Sequence, residues 1–191
     1  MPTLLSLFDA SGIWSEPYVQ AGWNVVRIDL TRGHDLWEWA PNDAGLTPRS
    51  VCGIMAAPPC THFAGSGAHR WVGKDASGVT QEAIRLVRRT LGIIDYLSPD
   101  WWVLENPVGR LNTCVPELRF FGPRYFNPSD YGDPYTKKTG LWGRFNMPDK
   151  CRVASSHRKC RHPRRHSGAE RLQALPMRSF LPTRRNLNES S

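Results

Sequence analysis

The sequence predicts an α/β fold: a doubly wound, mostly parallel sheet followed by a short basic C-terminal extension. Three observations carry this. Short apolar runs alternate with helical segments in the order strand, helix, strand, loop, strand, helix, strand, the pattern of a parallel sheet covered by helices. Each run ends in polar or turn-forming residues. The alternation then fades beyond residue 145 into Pro, Arg, His and Ser.

The first run, "TLLSLFDASG", is an apolar strand entering a small-residue turn. "SEPYVQAGW" follows as a helix, with Ser15 as its N-cap and Gly22 at its end. "NVVRIDL" is a second strand closing on Asp29, and "SVCGIMAA" a third, buried one. That strand stops at Pro58 and Pro59, neither of which can donate to a ladder, so Cys60 sits on a stiff turn at its C-terminal edge. "TQEAIRLVRRTLGIIDYL" is the clearest helix: Thr80 can cap it, and Ile84, Val87, Leu91 and Ile94 share one face. "DWWVLENP" is a fourth strand, with Trp101 and Trp102 as its core and edge. A division follows into residues 1–145, the folded domain, and 146–191, a basic segment.

Composition narrows the partners. No stretch is long and apolar enough to span a bilayer, and the N-terminus lacks the basic-then-apolar plan of a secretion signal. Five cysteines without framework spacing suit reduced thiols in a cytoplasm, with Cys52 and Cys114 structural. The net charge of +8 is concentrated in the last 41 residues, which hold ten basic and two acidic side chains. Such a segment suits a polyanion, most simply nucleic acid. Cys151, His157, Cys160 and His162 match no standard zinc spacing, so no metal is expected.

Four strand ends carry chemistry: Asp9 to Gly12, Asp29, Cys60, and Glu105 with Asn106. In a doubly wound sheet these ends share one edge and line one cleft. A turn after the first strand and an acid after the second suit a nucleoside cofactor, whose ribose hydroxyls donate to the carboxylate. The turn is not G-x-G-x-x-G, so a dinucleotide is not specifically indicated.

Together with Pro-Pro-Cys and Glu-Asn-Pro, these residues make a stronger pattern. The chain resembles the DNA cytosine-5 methyltransferases, especially short phage-type members without a full target-recognition domain. "LFDASGIWSEPYVQAGW" resembles the family's first motif, in which Gly12 keeps one glycine while Ala10 and Ile13 replace two others. "RIDL", "GHDL", "APPCTHFAGSG", "LENPVGRL" and "SDYGDPYTKKTGLWG" follow in the family's order, over about residues 3 to 145.

The resemblance implies the Rossmann-like fold of S-adenosylmethionine-dependent methyltransferases, with S-adenosylmethionine as cofactor and DNA as partner. It places Phe8, Asp9, Ser11, Gly12, Ile13, Asp29, Asp35, Leu36 and Pro58 around the cofactor, Asp29 at the ribose and Asp35 at the adenine. Asp29 and Asp35 also suit a helix cap or turn. The catalytic set would be Cys60, Glu105, Asn106 and Pro59. A Cys60 thiolate adding to carbon 6 of cytosine makes carbon 5 nucleophilic, and Glu105 stabilises the charge that builds toward N3. That role needs a raised carboxyl pKa. A base, often water in the family, then removes the proton on carbon 5. A base inside a duplex would first have to flip out.

Two departures shape the expected specificity. Tyr135, Lys137 and Thr139 stand where the family's eighth motif has Gln and two arginines, so Lys137 or Lys138 would supply charge at the cytosine, beside Thr61. About 50 residues follow, and no tenth motif is discernible in them. Phosphate contacts from Arg158, Lys159, Arg161, Arg164 and Arg165 therefore suit salt-sensitive binding with low sequence selectivity. The expected protein is a cytoplasmic monomer in a bacterial or phage-infected cell. Two alternatives stay open here: an inactive relative that binds DNA, and an enzyme modifying carbon 5 of free cytosine nucleotides.

Overall fold

Six strands form one sheet in the order β2-β1-β3-β4-β6-β5. A computed structural model describes residues 1–131, 133 and 135–150 of the chain. β1 (Thr3–Leu7), β2 (Asn24–Ile28), β3 (Gly53–Ala56) and β4 (Trp101–Pro107) run parallel. β3 is buried throughout and β4 as far as Asn106, which is why both appear in the sequence as continuous apolar runs. The chain leaves β1 for β2 on one side and returns to β3 on the other. The sheet therefore has its topological switch point between β1 and β3, where open α/β sheets bind ligands.

The remaining strands were not evident in the sequence pattern. β6 (Thr139–Arg144) pairs antiparallel with β4, and β5 (Arg124–Phe126) antiparallel with β6. The register aligns Glu105 with Leu141 and Asn106 with Gly140, so the C-terminal residues of β4 are paired to β6, and β4 itself is not a sheet edge.

Apolar cores fill both faces. One gathers Leu5, Leu7, Ile54, Leu104 and Trp142 under α3 (Val79–Leu97), whose Ile84, Val87 and Ile94 point inward as the helical spacing predicts. The other gathers Leu4, Met55, Trp101 and Val103 with Tyr18 of α1 (Glu16–Gln20), and Tyr18 stacks on Trp101 at 5.8 Å. A fully buried leucine such as Leu5 or Leu104 contributes about 1.5–3 kcal/mol. Phe145 and Met147 continue this second core, and Pro148 accepts a hydrogen bond from Tyr131, so packing runs past residue 145. The expected boundary there coincides with no break among the described residues.

Two expected caps differ. Ser15 precedes α1, but its hydroxyl donates to the Asp9 carboxylate at 2.6 Å instead of capping the helix. α3 begins after Gly78, and Thr80 lies inside its first turn, where its hydroxyl accepts from Arg110. In both cases a charged partner, buried Asp9 or partly buried Arg110, engages the hydroxyl in place of the backbone amides of a helix start.

No helix among the described residues is long and apolar enough to cross a membrane. Arg158, Lys159, Arg161, Arg164 and Arg165, and the Cys/His group from Cys151 to His162, lie outside the described residues.

Candidate active site

The turn after β1 is built around Asp9. Its carboxylate is buried and accepts from Ser6 at 2.9 Å and from Ser15 at 2.6 Å, with the Arg27 guanidinium 3.9 Å away. Arg27 in turn donates to the Ser15 hydroxyl and to Glu16. The carboxylate thus faces inward and holds the turn, while Phe8, Ser11, Gly12 and Ile13 form its outer course. Phe8 adopts φ of 63°, unusual for an aromatic residue, and its amide donates to Ile28 at the end of β2. Gly12 has φ of 75°, and a Cβ there would lie 3.0 Å from the guanidinium groups of Arg27 and Arg32. Ser11 accepts from the Ile13 amide.

Asp29 ends β2 half-buried. Its Oδ1 accepts from the Thr31 amide and hydroxyl at 2.8 and 2.6 Å. Asp35 accepts from the Trp37 amide through Oδ1. Each carboxylate is therefore oriented by one oxygen. Asp35 also lines a cleft of about 350 Å³ with Ile28, Gly33 and His34, whereas neighbouring Leu36 is buried in the core.

Cys60 lies on the turn after β3, directly beyond buried Pro58 and exposed Pro59. The parallel neighbour of β3 is β4, so Glu105 and Asn106 arrive on the adjacent strand end. Asn106 is fully buried and donates from Nδ2 to the Pro58 carbonyl at 3.1 Å, while its Oδ1 has no partner. Glu105 is 6% exposed, and burial pushes its carboxyl up to about 7, against a smaller opposing pull from Lys137. Burial and then Glu105 push the Cys60 thiol up, whereas Lys137 and Lys74 draw it down. The direction is the one expected at Glu105, and its cause is burial.

The two candidate lysines part company. Lys137 acts electrostatically on both Glu105 and Cys60, while the Lys138 ammonium stands 4.9 Å over the Tyr125 ring.

Several supporting residues were missed in the sequence. Arg110 donates from Nε to the His62 carbonyl at 3.0 Å, forks onto Asp75 with two 2.7 Å bonds, and lies over the Trp71 ring. This holds the loop after Cys60 against α2 (Trp71–Ala76). Lys74 of that helix donates to the Thr61 carbonyl. Ala64 bridges to Gly109, where a Cβ would stand 1.8 Å from the Phe63 carbonyl. Gly109 and Arg110 follow Glu-Asn-Pro in "ENPVGR", the signal that could have flagged them; Lys74 has none. No group of three or more His, Cys, Asp or Glu suited to a metal occurs among the described residues.

The chain was compared with known proteins. No protein-family model matches it. Over 155 residues it is 32% identical to the "Probable DNA (cytosine-5)-methyltransferase" of Frog virus 3 (isolate Goorha), a match spanning 73% of this chain and 69% of the viral protein. Two solved structures share the fold. A prophage-encoded protein of E. coli, assigned as a DNA modification methyltransferase, superposes with a TM-score of 0.55 at 15% identity, over 78% of this chain and 49% of its own. The Entamoeba histolytica methyltransferase EhMeth does so with a TM-score of 0.51 at 14% identity, over 82% and 58%. The chain therefore spans about half the length of the prophage protein. Identity of the extent shared with the viral protein, across more than two thirds of both chains, places this protein in the DNA (cytosine-5)-methyltransferase family.

Proposed function

We propose that the chain transfers a methyl group from S-adenosylmethionine to carbon 5 of cytosine in DNA through a covalent Cys60 adduct, with low sequence selectivity. The single observation that carries this reading is the meeting of Cys60 with Glu105. A thiol and a buried carboxyl with a pKa of about 7 arrive on neighbouring strand ends, with Lys137 acting on both.

The residues present fit the cofactor. The turn from Phe8 to Gly12 borders the switch point, with Asp9 anchoring it from within. Asp29 keeps one carboxylate oxygen for ribose hydroxyls, and Asp35 in its cleft keeps one for an adenine amino group. Pro58, buried two residues before Cys60, would border the cofactor. When bound, S-adenosylmethionine supplies an electrophilic methyl group on a sulfonium.

The protein's residues would act on cytosine. The Cys60 sulfur forms a bond to carbon 6, and the electron pair of the 5,6 double bond moves through the ring toward N3. Protonated Glu105 donates to N3, and Lys137 offers positive charge near the same ring edge. Burial is the larger cause of the raised thiol, and protonation of Glu105 removes the second, its negative charge, so the carboxyl's neutral form favours both roles. Carbon 5 takes the methyl group, loses its proton to a base, and the sulfur–carbon 6 bond breaks. Asn106, through its bond to the Pro58 carbonyl, would keep the two strand ends together, and Pro59 would stiffen the turn before Cys60. The basic segment after residue 150 would add phosphate contacts, and the protein would act as a cytoplasmic monomer.

The test uses DNA containing 5-fluorocytosine, which cannot release its 5-substituent. With S-adenosylmethionine, the wild-type chain should give a denaturation-resistant protein–DNA adduct, and Cys60→Ser none. An adduct that persists in Cys60→Ser would overturn the mechanism, and DNA binding without any adduct would favour a binding role.

A further inference from the structure

The stretch "RFFGPRYF", residues 119–126, interleaves cations with aromatic rings, from a 3-10 turn ending at Phe121 into the edge strand β5 at Arg124–Phe126. Phe120 is 89% exposed, Tyr125 46% and Phe121 40%. Three open rings within six residues have no packing purpose that the described structure supplies, although Phe121 leans edge-on against Trp102 at 5.0 Å. Tyr125 lies on β5, the edge strand of the described sheet, with the Lys138 ammonium over its ring.

The strip begins beside the β4 end that carries Glu105 and Asn106, on the face of the sheet that Asn106 shares with Trp102. Pairing aligns Asn106 with Gly140 and Gly140 with Tyr125, so Tyr125 stands two strands, about 10 Å, from the residue after Glu105. From there the strip descends toward Phe121, which lines a cleft of about 450 Å³ with Trp102 and Arg144. Arg119 is held by a single Nε bond to the Asn112 carbonyl, which leaves its outer nitrogens for phosphate. The acids of this cleft are Asp95 and Glu117, and Glu117 is paired with Arg88 at 2.7 Å.

Exposed rings interleaved with cations suit unstacked nucleobases threaded by phosphates, because every base offers a π-face and every linkage a charge. We infer that the strip formed by Phe120, Phe121 and Tyr125 with Arg119, Lys138 and Arg144 is a stacking surface for unpaired DNA leading away from the target cytosine. The inference rests on the proposed cytosine site, and it adds a single-stranded path to that site. Neighbouring bases would be held by sequence-tolerant stacking, in keeping with low selectivity.

Binding of the full chain to two oligonucleotides tests it. One is single-stranded DNA with a cytosine and ordinary flanking bases; the other has abasic flanks of equal length. Wild type should bind the first at least tenfold more tightly. The double variant Phe120→Ala/Tyr125→Ala should lose about tenfold on the first strand and less than twofold on the abasic one. Phe120→Trp/Tyr125→Trp should restore binding. Equal wild-type affinity for both strands, equal losses on both, or preference for a fully paired duplex would overturn the inference. A parallel adduct assay on 5-fluorocytosine DNA separates the two readings. Adduct formation without strand discrimination defeats the stacking surface alone; discrimination without an adduct leaves the surface standing and defeats the chemistry.

Discussion

Asn106 Nδ2 lies 3.1 Å from the Pro58 carbonyl oxygen, so the strand that delivers Glu105 is fastened to the turn that delivers Cys60. The bond is fully buried at the Asn106 end, where water cannot replace it.

Asn106→Ala should therefore cost about 1–3 kcal/mol, since it removes the bond, orphans a carbonyl and leaves a small void. Adduct formation should fall further than stability explains, because the two strand ends lose their tether. Denaturant melts and adduct rates, measured on the same preparation, separate these effects.

Glu105→Gln should change the pH dependence of stability. The carboxyl titrates near 7 in the folded chain, above its ordinary value near 4.5. Its stabilising, protonated form is fully present below about pH 4.5, and the benefit is lost as pH rises toward and through about 7. Relative to Glu105→Gln, the wild type should lose roughly 3 kcal/mol between pH 4.5 and 8. A flat difference would show that Glu105 is not held neutral by its surroundings. The variant should also form adduct at least tenfold more slowly.

Arg110→Lys should slow adduct formation about tenfold. An ammonium cannot fork onto Asp75 and reach the His62 carbonyl at the same time. Arg110 holds the Asp75 carboxyl down at about 2, so the pair persists through the ordinary aspartate range and opens only as pH falls toward 2. Thiol alkylation at Cys60 reports loop position, and its rate should shift in Arg110→Lys while far-UV circular dichroism does not.

Gly109→Ala should be among the most damaging single changes. The added carbon would fall 1.8 Å from the Phe63 carbonyl, a backbone atom that cannot swing aside. A cost of about 2–3 kcal/mol is expected, with near-complete loss of the adduct. Near-wild-type melting would show that the contact between these loops is looser than described.

The parallel part of the fold was legible because strands buried on both faces must be apolar runs, and prolines and glycines punctuate them. β5 and β6 were hidden. Arg124–Phe126 is three residues long, and Thr139–Arg144 carries two glycines, so neither shows the alternation that marks a strand. Cys60 and Glu105 were legible as polar residues closing apolar strands. Arg110 and Lys74 were not, because they act on the backbone carbonyls of His62 and Thr61, and carbonyls leave no trace in a residue pattern. The separation of Lys137 from Lys138 likewise needed coordinates.

β3 and β4 lie side by side, yet the chain between Ala56 and Trp101 makes the longest excursion in the sheet, through α2 and α3. During synthesis the thiol thus emerges well ahead of its carboxyl. A growing or truncated chain that ends before Trp101 holds the Cys60 sulfur with no acid beside it and with β1 as the one strand flanking β3. Under the proposed mechanism, such a chain lacks both the carboxyl and the strand that delivers it, so the pair is completed only when β4 docks beside β3.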